Sequence, residues 1–119
     1  MRKIVIDMQN YLFADAVATA FKSSDYDIEV IRAESPRDTV ELCQIYEPFV
    51  LVMEVTGYAP WKLGERLRLR DEVKALCPNC KIALMVDSNT ERQTAKDIRD
   101  AKKDGLIEQF FYGSMPAEY

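Results

Sequence analysis

The sequence contains no histidine, and this absence excludes more types of catalytic and metal site than any other feature of its composition. Histidine is the usual general base near neutral pH, the usual partner of a catalytic serine or cysteine, and a frequent zinc ligand. Only four glycines occur in the 119 residues, and they form neither G-x-G-x-x-G nor G-x-x-x-x-G-K-[ST], the loops that bind nucleotide phosphates. Histidine-dependent catalysis and nucleotide binding through such loops are therefore not expected, and we predict no catalytic residue and no cofactor.

Long apolar runs and clustered positive charge are also missing. The sequence has no run of about 18 apolar residues, the length that a membrane-spanning helix needs. The four or so strand residues after Met1-Arg2-Lys3 are too few for the apolar region of a signal peptide. The net charge of -4 and the isoelectric point near 4.9 give the domain no attraction to nucleic acids or anionic membranes. We expect a cytoplasmic domain without direct nucleic-acid or membrane contact.

Cysteine is scarce as well, with three residues, and two of them form Cys77-Pro78-Asn79-Cys80. Three is an odd number, and the disulfide framework of a secreted fold would need more cysteines. Reduced thiols are therefore expected. A C-x-x-C pair can be a redox dithiol, but in thioredoxin-like proteins it opens a helix after a strand, whereas here it closes a helix before one. The pair also supplies only half of the ligands of a structural zinc, so no metal site is predicted.

Short runs rich in β-branched and aromatic residues alternate with helical patterns along the whole chain. The predicted strands are residues 3–6, 27–31, 49–53, 81–86 and 109–112. The third and fourth are almost continuously apolar, as expected for central parallel strands that are buried on both faces. This order predicts a single α/β domain, residues 1–119, with a parallel sheet, right-handed crossovers and the connectivity (βα)4β.

The predicted helices have clear signals at several of their ends. Ser35-Pro36 and Pro48 bracket the second helix, the third covers about residues 60–76, and Gly105 ends the fourth. The sequence Ser88-Asn89-Thr90-Glu91 has the form of a capping box and opens that fourth helix, whose one large apolar residue is Ile98. Met115-Pro116 is typical of the first turn of a fifth helix.

Two helical patterns bear on packing and charge. The first helix carries an apolar stripe, which we predict to face the core: Leu12, Phe13, Ala16, Val17, Ala20 and Phe21. Three arginines of the third helix, Arg66, Arg68 and Arg70, follow one another in steps of two, which spreads them around the helix among acidic residues. We interpret these arginines as a solvated charged face.

Residues 3–6 read Lys-Ile-Val-Ile, residues 11–17 read Tyr-Leu-Phe-Ala-Asp-Ala-Val, and residues 47–53 read Glu-Pro-Phe-Val-Leu-Val-Met. With the strand and helix order, these segments resemble the receiver domains of response regulators in two-component signalling. The family strings are K-I-L-I-V-D-D-H-P-L-F-R-D-G-L, which residues 3–17 match without a gap, and P-D-L-V-L-L. Cys77-Pro78-Asn79-Cys80-Lys81-Ile82 matches the entry to strand four, and Gly105 and Pro116 bracket the last strand. The resemblance implies a flavodoxin-like, doubly wound sheet of five parallel strands with the start of a fifth helix.

The resemblance also implies a chemistry, the transfer of a phosphoryl group from a histidine kinase to an aspartate beside magnesium. In this sequence Glu54 matches the phosphoacceptor. The acidic pair after strand one matches Met8 and Gln9, or Asp7 and Met8 with one inserted residue. The switch hydroxyl and lysine match Val86 and Tyr112. Because magnesium needs several convergent oxygens, we predict a pseudo-receiver that has lost magnesium-dependent phosphorylation.

The resemblance therefore implies a noncatalytic signalling module that acts by protein contacts, as the N-terminal part of a longer transcription regulator. A homodimer through residues 97–119 and a DNA-binding output domain after Tyr119 are expected. Glu54 either imitates a phosphorylated aspartate or is an inert, solvated carboxylate. The alternative is a flavodoxin-like ligand- or metal-binding enzyme with a carboxylate cluster of Asp7, Glu54 and Asp87; a thiol oxidoreductase using Cys77 and Cys80 is a third possibility.

Overall fold

The computed structural model describes residues 2–9, 11–24, 27–86 and 92–112. Within these ranges, five strands and four helices alternate in the order predicted from the sequence. The strands are β1 (Arg2–Asp7), β2 (Ile28–Arg32), β3 (Val50–Val55), β4 (Lys81–Val86) and β5 (Gln109–Tyr112). The helices are α1 (Tyr11–Ser24), α2 (Pro36–Tyr46), α3 (Leu63–Leu76) and α4 (Arg92–Lys103). The predicted capping box at residues 88–91 and the predicted fifth helix lie outside the described residues.

All five strands are parallel and lie in the order β2-β1-β3-β4-β5. Because successive side chains of a strand point to opposite faces, each strand contributes to two cores. Val5, Leu51 and Leu84 belong to the core covered by α2, α3 and α4, whereas Ile6, Val52 and Ala83 belong to the core covered by α1. This double burial explains the near-continuous apolar runs of β3 and β4.

The signals at the ends of α2 and α4 correspond to observed boundaries. Helix α2 begins at Pro36, and its last residue, Tyr46, is followed by Glu47 in the left-handed region with φ of 48°. Gly105 follows α4 with φ of 81°, a conformation that costs glycine little because it has no Cβ. Helix α3 begins at Leu63 rather than at residue 60, because residues 56–62 form the turns that lead into it.

The apolar stripe of α1 differs from the predicted one. Ala14, Val17, Ala18 and Phe21 contact the sheet, whereas Leu12 is 83% exposed and Ala16 is exposed. The contacting residues follow the spacing i, i+3, i+4, i+7 of a single helix face. The predicted stripe shares Val17 and Phe21 with this face, and the side chain of Phe13 lies outside the described residues. None of the described helices is both long enough and apolar enough to cross a membrane.

Candidate functional site

The candidate site is the edge of the sheet where the carboxyl ends of β1, β3 and β4 meet, since ligands of parallel α/β sheets bind outside these ends. Asp7, the last residue of β1, is paired with Met53 of β3. Glu54 is the next residue of β3 and is paired with Met85. Val86 ends β4 beside Tyr112 of β5. The topology thus brings the backbones of most sequence-predicted site residues to one edge.

Asp7 is the centre of a buried polar network beneath this edge. Its side chain points to the face covered by α2 and α3, where Arg66 Nη1 donates to Asp7 Oδ2 at 2.8 Å and Nη2 donates to Oδ1 at 3.2 Å. The hydroxyl of Thr39, on α2, donates to Asp7 Oδ2 at 2.6 Å. Both carboxylate oxygens therefore have donors within the protein, and the Arg66 side chain is 0% exposed.

Arg66 also binds the backbone at the ends of two strands. Its Nε donates to the carbonyl oxygen of Glu54 at 2.7 Å, and its Nη2 donates to the carbonyl oxygen of Asp7 at 3.1 Å. A guanidinium has a planar array of donors suited to several acceptors at once, which an ammonium group cannot reproduce. One side chain of α3 thus connects the carboxyl-terminal ends of β1 and β3 to each other.

Glu54 lies on a different side of the site. Strand alternation places its side chain opposite those of Met53 and Val55, which belong to the α2–α4 face. Its Oε1 accepts a hydrogen bond of 2.7 Å from the backbone amide of Gln9. The Glu54 carboxylate is therefore connected to the loop after β1 by a charge-assisted hydrogen bond.

Of the predicted carboxylate cluster of Asp7, Glu54 and Asp87, the structure describes Asp7 and Glu54, and these two carboxylates do not converge. Asp7 points to the α2–α3 side, where a guanidinium already neutralises it, while Glu54 belongs to the opposite face of the sheet. Asp87 lies outside the described residues. Within the described ranges, no group of three or more acidic, cysteine or histidine side chains is arranged to hold a metal ion.

Magnesium, which the resemblance to receivers implies, does not fit the described residues at this edge. A hard divalent cation needs several convergent oxygens. Met8 offers a thioether buried in the α1-side core, and the oxygens of Asp7 already accept bonds from Arg66 and Thr39. A cation would have to displace a fully buried arginine to reach Asp7.

The positions matched to the switch residues are part of the packing of the sheet. Val86 is 1% exposed and belongs to the α2–α4 core together with Ile98 of α4. Tyr112 ends β5 next to Val86 in the sheet, and its side chain lies outside the described part of the structure. Val86 offers no hydroxyl that could respond to a phosphoryl group at Glu54.

The interpretation of the α3 arginines as a solvated face is wrong for Arg66. Arg68 is exposed as expected, but Arg66 lies on the buried face with Leu69 and Val73. Arg70 is intermediate, and its Nε donates to the carbonyl oxygen of Leu106 at 2.8 Å. The signal that could have revealed Arg66 is its spacing of i, i+3, i+7 with Leu69 and Val73, the periodicity of one helix face.

Comparison with known proteins supports the fold and goes no further. No protein-family model matches the chain, and no curated protein sequence matches it significantly. Solved structures do match along the whole length. A response regulator from Thermotoga maritima superposes with a TM-score of 0.79 at 13% identity, over 100% of this chain and 90% of that one.

Two further structures show the same likeness. The REC domain of AraT, a response regulator from Geobacillus stearothermophilus, superposes with a TM-score of 0.75 at 14% identity. The superposition covers 98% of this chain and 84% of the AraT chain. The Vibrio cholerae chemotaxis protein CheY4 has a TM-score of 0.71 at 13% identity, with 99% and 91% covered. The chain therefore has the flavodoxin-like fold of response-regulator receiver domains.

Proposed function

We propose that this chain is a receiver-like signalling module that acts through protein contacts without phosphotransfer. The observation that carries the proposal is the buried Asp7–Arg66 pair, with Arg66 bound to the carbonyl oxygen of Glu54. It supplies, within the fold, a positive charge beneath the edge where receivers hold a divalent cation. The rigid connection of β1, α3 and β3 favours a single conformation of this edge, so the signal is set by the sequence rather than by a kinase.

The chemistry of the remaining residues supports the loss of phosphotransfer. Phosphoryl transfer depends on positioning and on cations that neutralise the developing charge on the phosphoryl oxygens. Glu54 is an acceptor in principle, but Met8 and Val86 contribute neither a cation ligand nor a hydroxyl. Arg66 is committed to Asp7 and to two backbone carbonyls. No described side chain at the edge is therefore placed to assist transfer to Glu54.

A small phosphodonor tests this loss directly. Incubation with acetyl phosphate and magnesium should leave the intact mass of the protein unchanged. Transfer to Glu54 would instead add one phosphoryl group, about 80 Da. A receiver with an aspartate acceptor, treated in parallel, confirms that the reagent is active. A stable adduct that disappears in Glu54→Gln would refute the proposal.

Glu54 has a proposed role as a fixed signal. Its one negative charge is a partial substitute for a phosphoryl group of roughly -1.5 to -2, and its bond to the Gln9 amide gives it a defined orientation. We propose that this charge sets the conformation that self-associates through residues 97–119, in a cytoplasmic regulator with a DNA-binding output domain.

The fixed-signal role predicts that charge at this position controls oligomerisation. Glu54→Gln keeps an oxygen acceptor for the Gln9 amide and removes the charge, so it should weaken the self-association measured by light scattering. Glu72→Gln, at an exposed position of α3, is the matched control for a loss of one charge. Identical association constants for the wild type and Glu54→Gln would show that Glu54 is inert.

A further inference from the structure

Helix α4 differs in charge from the rest of the domain. It contains five basic and two acidic residues, a net charge of +3, in a chain whose net charge is -4, so the remainder of the chain carries -7. Helices α1, α2 and α3 have net charges between -1 and +1. Clustered positive charge was not expected from the sequence, but the fold concentrates it on this one helix.

Four of the basic residues of α4 form a stripe along its outer side. They follow one another at i, i+4, i+7 and i+11, which places them within about 60° of the helix circumference and spreads them over about 16 Å. All four are exposed, and they lie opposite the buried residues Ile98 and Ala101. We call these four residues the basic stripe: Arg92, Lys96, Arg99 and Lys103.

The basic stripe has no ion-pair partner among the described residues. Four basic residues elsewhere do form ion pairs: Arg32, Arg66, Arg70 and Lys74. Lys102, the fifth basic residue of α4, donates to Gln109 Oε1 at 2.9 Å and lies over the ring of Phe110. Asp97, beside the stripe, accepts a hydrogen bond of 2.8 Å from Gln93. The charges of the stripe therefore face solvent without compensation from the described part of the chain.

This arrangement is unfavourable for the helix itself. Residues three or four apart on a helix are neighbours, so each successive pair in the basic stripe brings two like charges together. Arg92 also lies in the first turn of α4, where the helix dipole disfavours positive charge. A ligand with negative charge would relieve both effects.

We propose that the basic stripe binds a short acidic segment of a protein partner, with aspartates or glutamates distributed over about 16 Å. A helix with acidic residues at i, i+4, i+7 and i+11 matches the stripe charge for charge. Two of the four residues are arginines, whose planar donors suit carboxylates. The one large apolar residue of α4, Ile98, is buried, so the contact is electrostatic and depends on salt. The proposal does not rest on the fixed-signal role of Glu54.

A nucleic acid and a second copy of the chain fit the basic stripe less well. The phosphates of a duplex continue past both ends of the stripe, where they meet a domain that is acidic outside α4. Asp97 and Asp100 border the stripe along one side, so the ligand has to be narrow. In a twofold contact of α4 with α4, the two stripes would repel each other. Self-association through residues 97–119 therefore has to use other side chains of that region.

A patterned peptide tests the proposal. The probe is a fluorescently labelled, alanine-based helical peptide with four glutamates at i, i+4, i+7 and i+11, and the control peptide has the same composition with its glutamates spread around the helix. Fluorescence anisotropy at low ionic strength should show tighter binding of the patterned peptide, with amide shifts centred on residues 92–103. Binding should weaken at about 0.15 M salt, where the screening length is about 8 Å. Equal affinity for the two peptides, or tighter binding of a short DNA duplex, would overturn the proposal.

Charge reversals separate the basic stripe from the net charge of the domain. Lys96→Glu combined with Lys103→Glu should raise the Kd of the patterned peptide about tenfold or more, because two attractions become repulsions. Lys22→Glu combined with Arg68→Glu makes the same change in net charge at exposed positions of α1 and α3 and should change Kd by less than about twofold, since distant charges are screened. The stripe variant should keep its Tm, because like-charged neighbours within the stripe become oppositely charged. Equal weakening by the two double variants would refute a localised site.

Discussion

At the scale of single residues, Arg66 has a role that its neighbours in the sequence conceal. A buried guanidinium is tolerated because its donors bind the Asp7 carboxylate and the carbonyl oxygens of Asp7 and Glu54. Asp7 in turn accepts from Thr39. Removing one member of such a network leaves a charge in a region of low dielectric constant without its counter-charge, which costs more free energy than the intact pair contributes.

The Arg66 network predicts a large and specific loss of stability. Arg66→Leu should lower the free energy of unfolding by about 3–5 kcal/mol, because it leaves the Asp7 carboxylate buried and unpaired. Urea denaturation measures the change. Arg68→Leu, on the same helix and exposed, is the control and should change it by less than about 0.5 kcal/mol. Equal losses in the two variants would contradict the buried pair.

A second variant distinguishes charge pairing from packing. When both partners become apolar, no charge is left unpaired, so Asp7→Leu combined with Arg66→Leu should recover much of the loss caused by Arg66→Leu alone. Purely additive losses would mean that the two side chains act independently.

At the scale of elements, the sequence was most informative where burial is periodic. Strands β4 and β5 were predicted to the residue, and α2 at its proline, since apolar runs and proline restrict the backbone locally. The orientation of α1 was predicted less well. The many alanines of α1 make its apolar face ambiguous in the sequence. In the structure, Ala14 and Ala18 face the sheet, whereas Leu12 and Ala16 are exposed.

Helix α4 packs on the sheet through a single large apolar side chain. Ile98 is its one large apolar residue and is fully buried, with Ala101 beside it. Ile98→Ala should therefore destabilise the domain by about 2–5 kcal/mol, through lost transfer free energy and the cavity that remains. Thermal or urea unfolding measures this change.

The control for α4 is an isoleucine outside the core. Ile45 of α2 is 63% exposed, so Ile45→Ala should change the unfolding free energy by less than about 0.5 kcal/mol. If Ile45→Ala costs as much as Ile98→Ala, the assigned helix faces are wrong.

At the scale of the whole molecule, fold and chemistry were unequally predictable. Alternating strands and helices restrict the topology strongly, and the flavodoxin-like sheet follows from patterns spread over the chain. The site depends on contacts between residues far apart, such as Asp7 and Arg66, which are 59 positions apart. Met8 and Val86 can be read from the sequence, but the buried guanidinium of Arg66 beside Asp7 cannot.

We propose that Arg66 supplies the positive charge at the site, so that magnesium does not bind there. A magnesium titration followed by amide chemical shifts tests it most directly, with attention to residues 7–9 and 53–56. These amides should show no saturable shift up to millimolar magnesium, and Tm should not rise, because a ligand stabilises only the state that binds it. Saturable shifts of these amides, together with a rise in Tm, would contradict it.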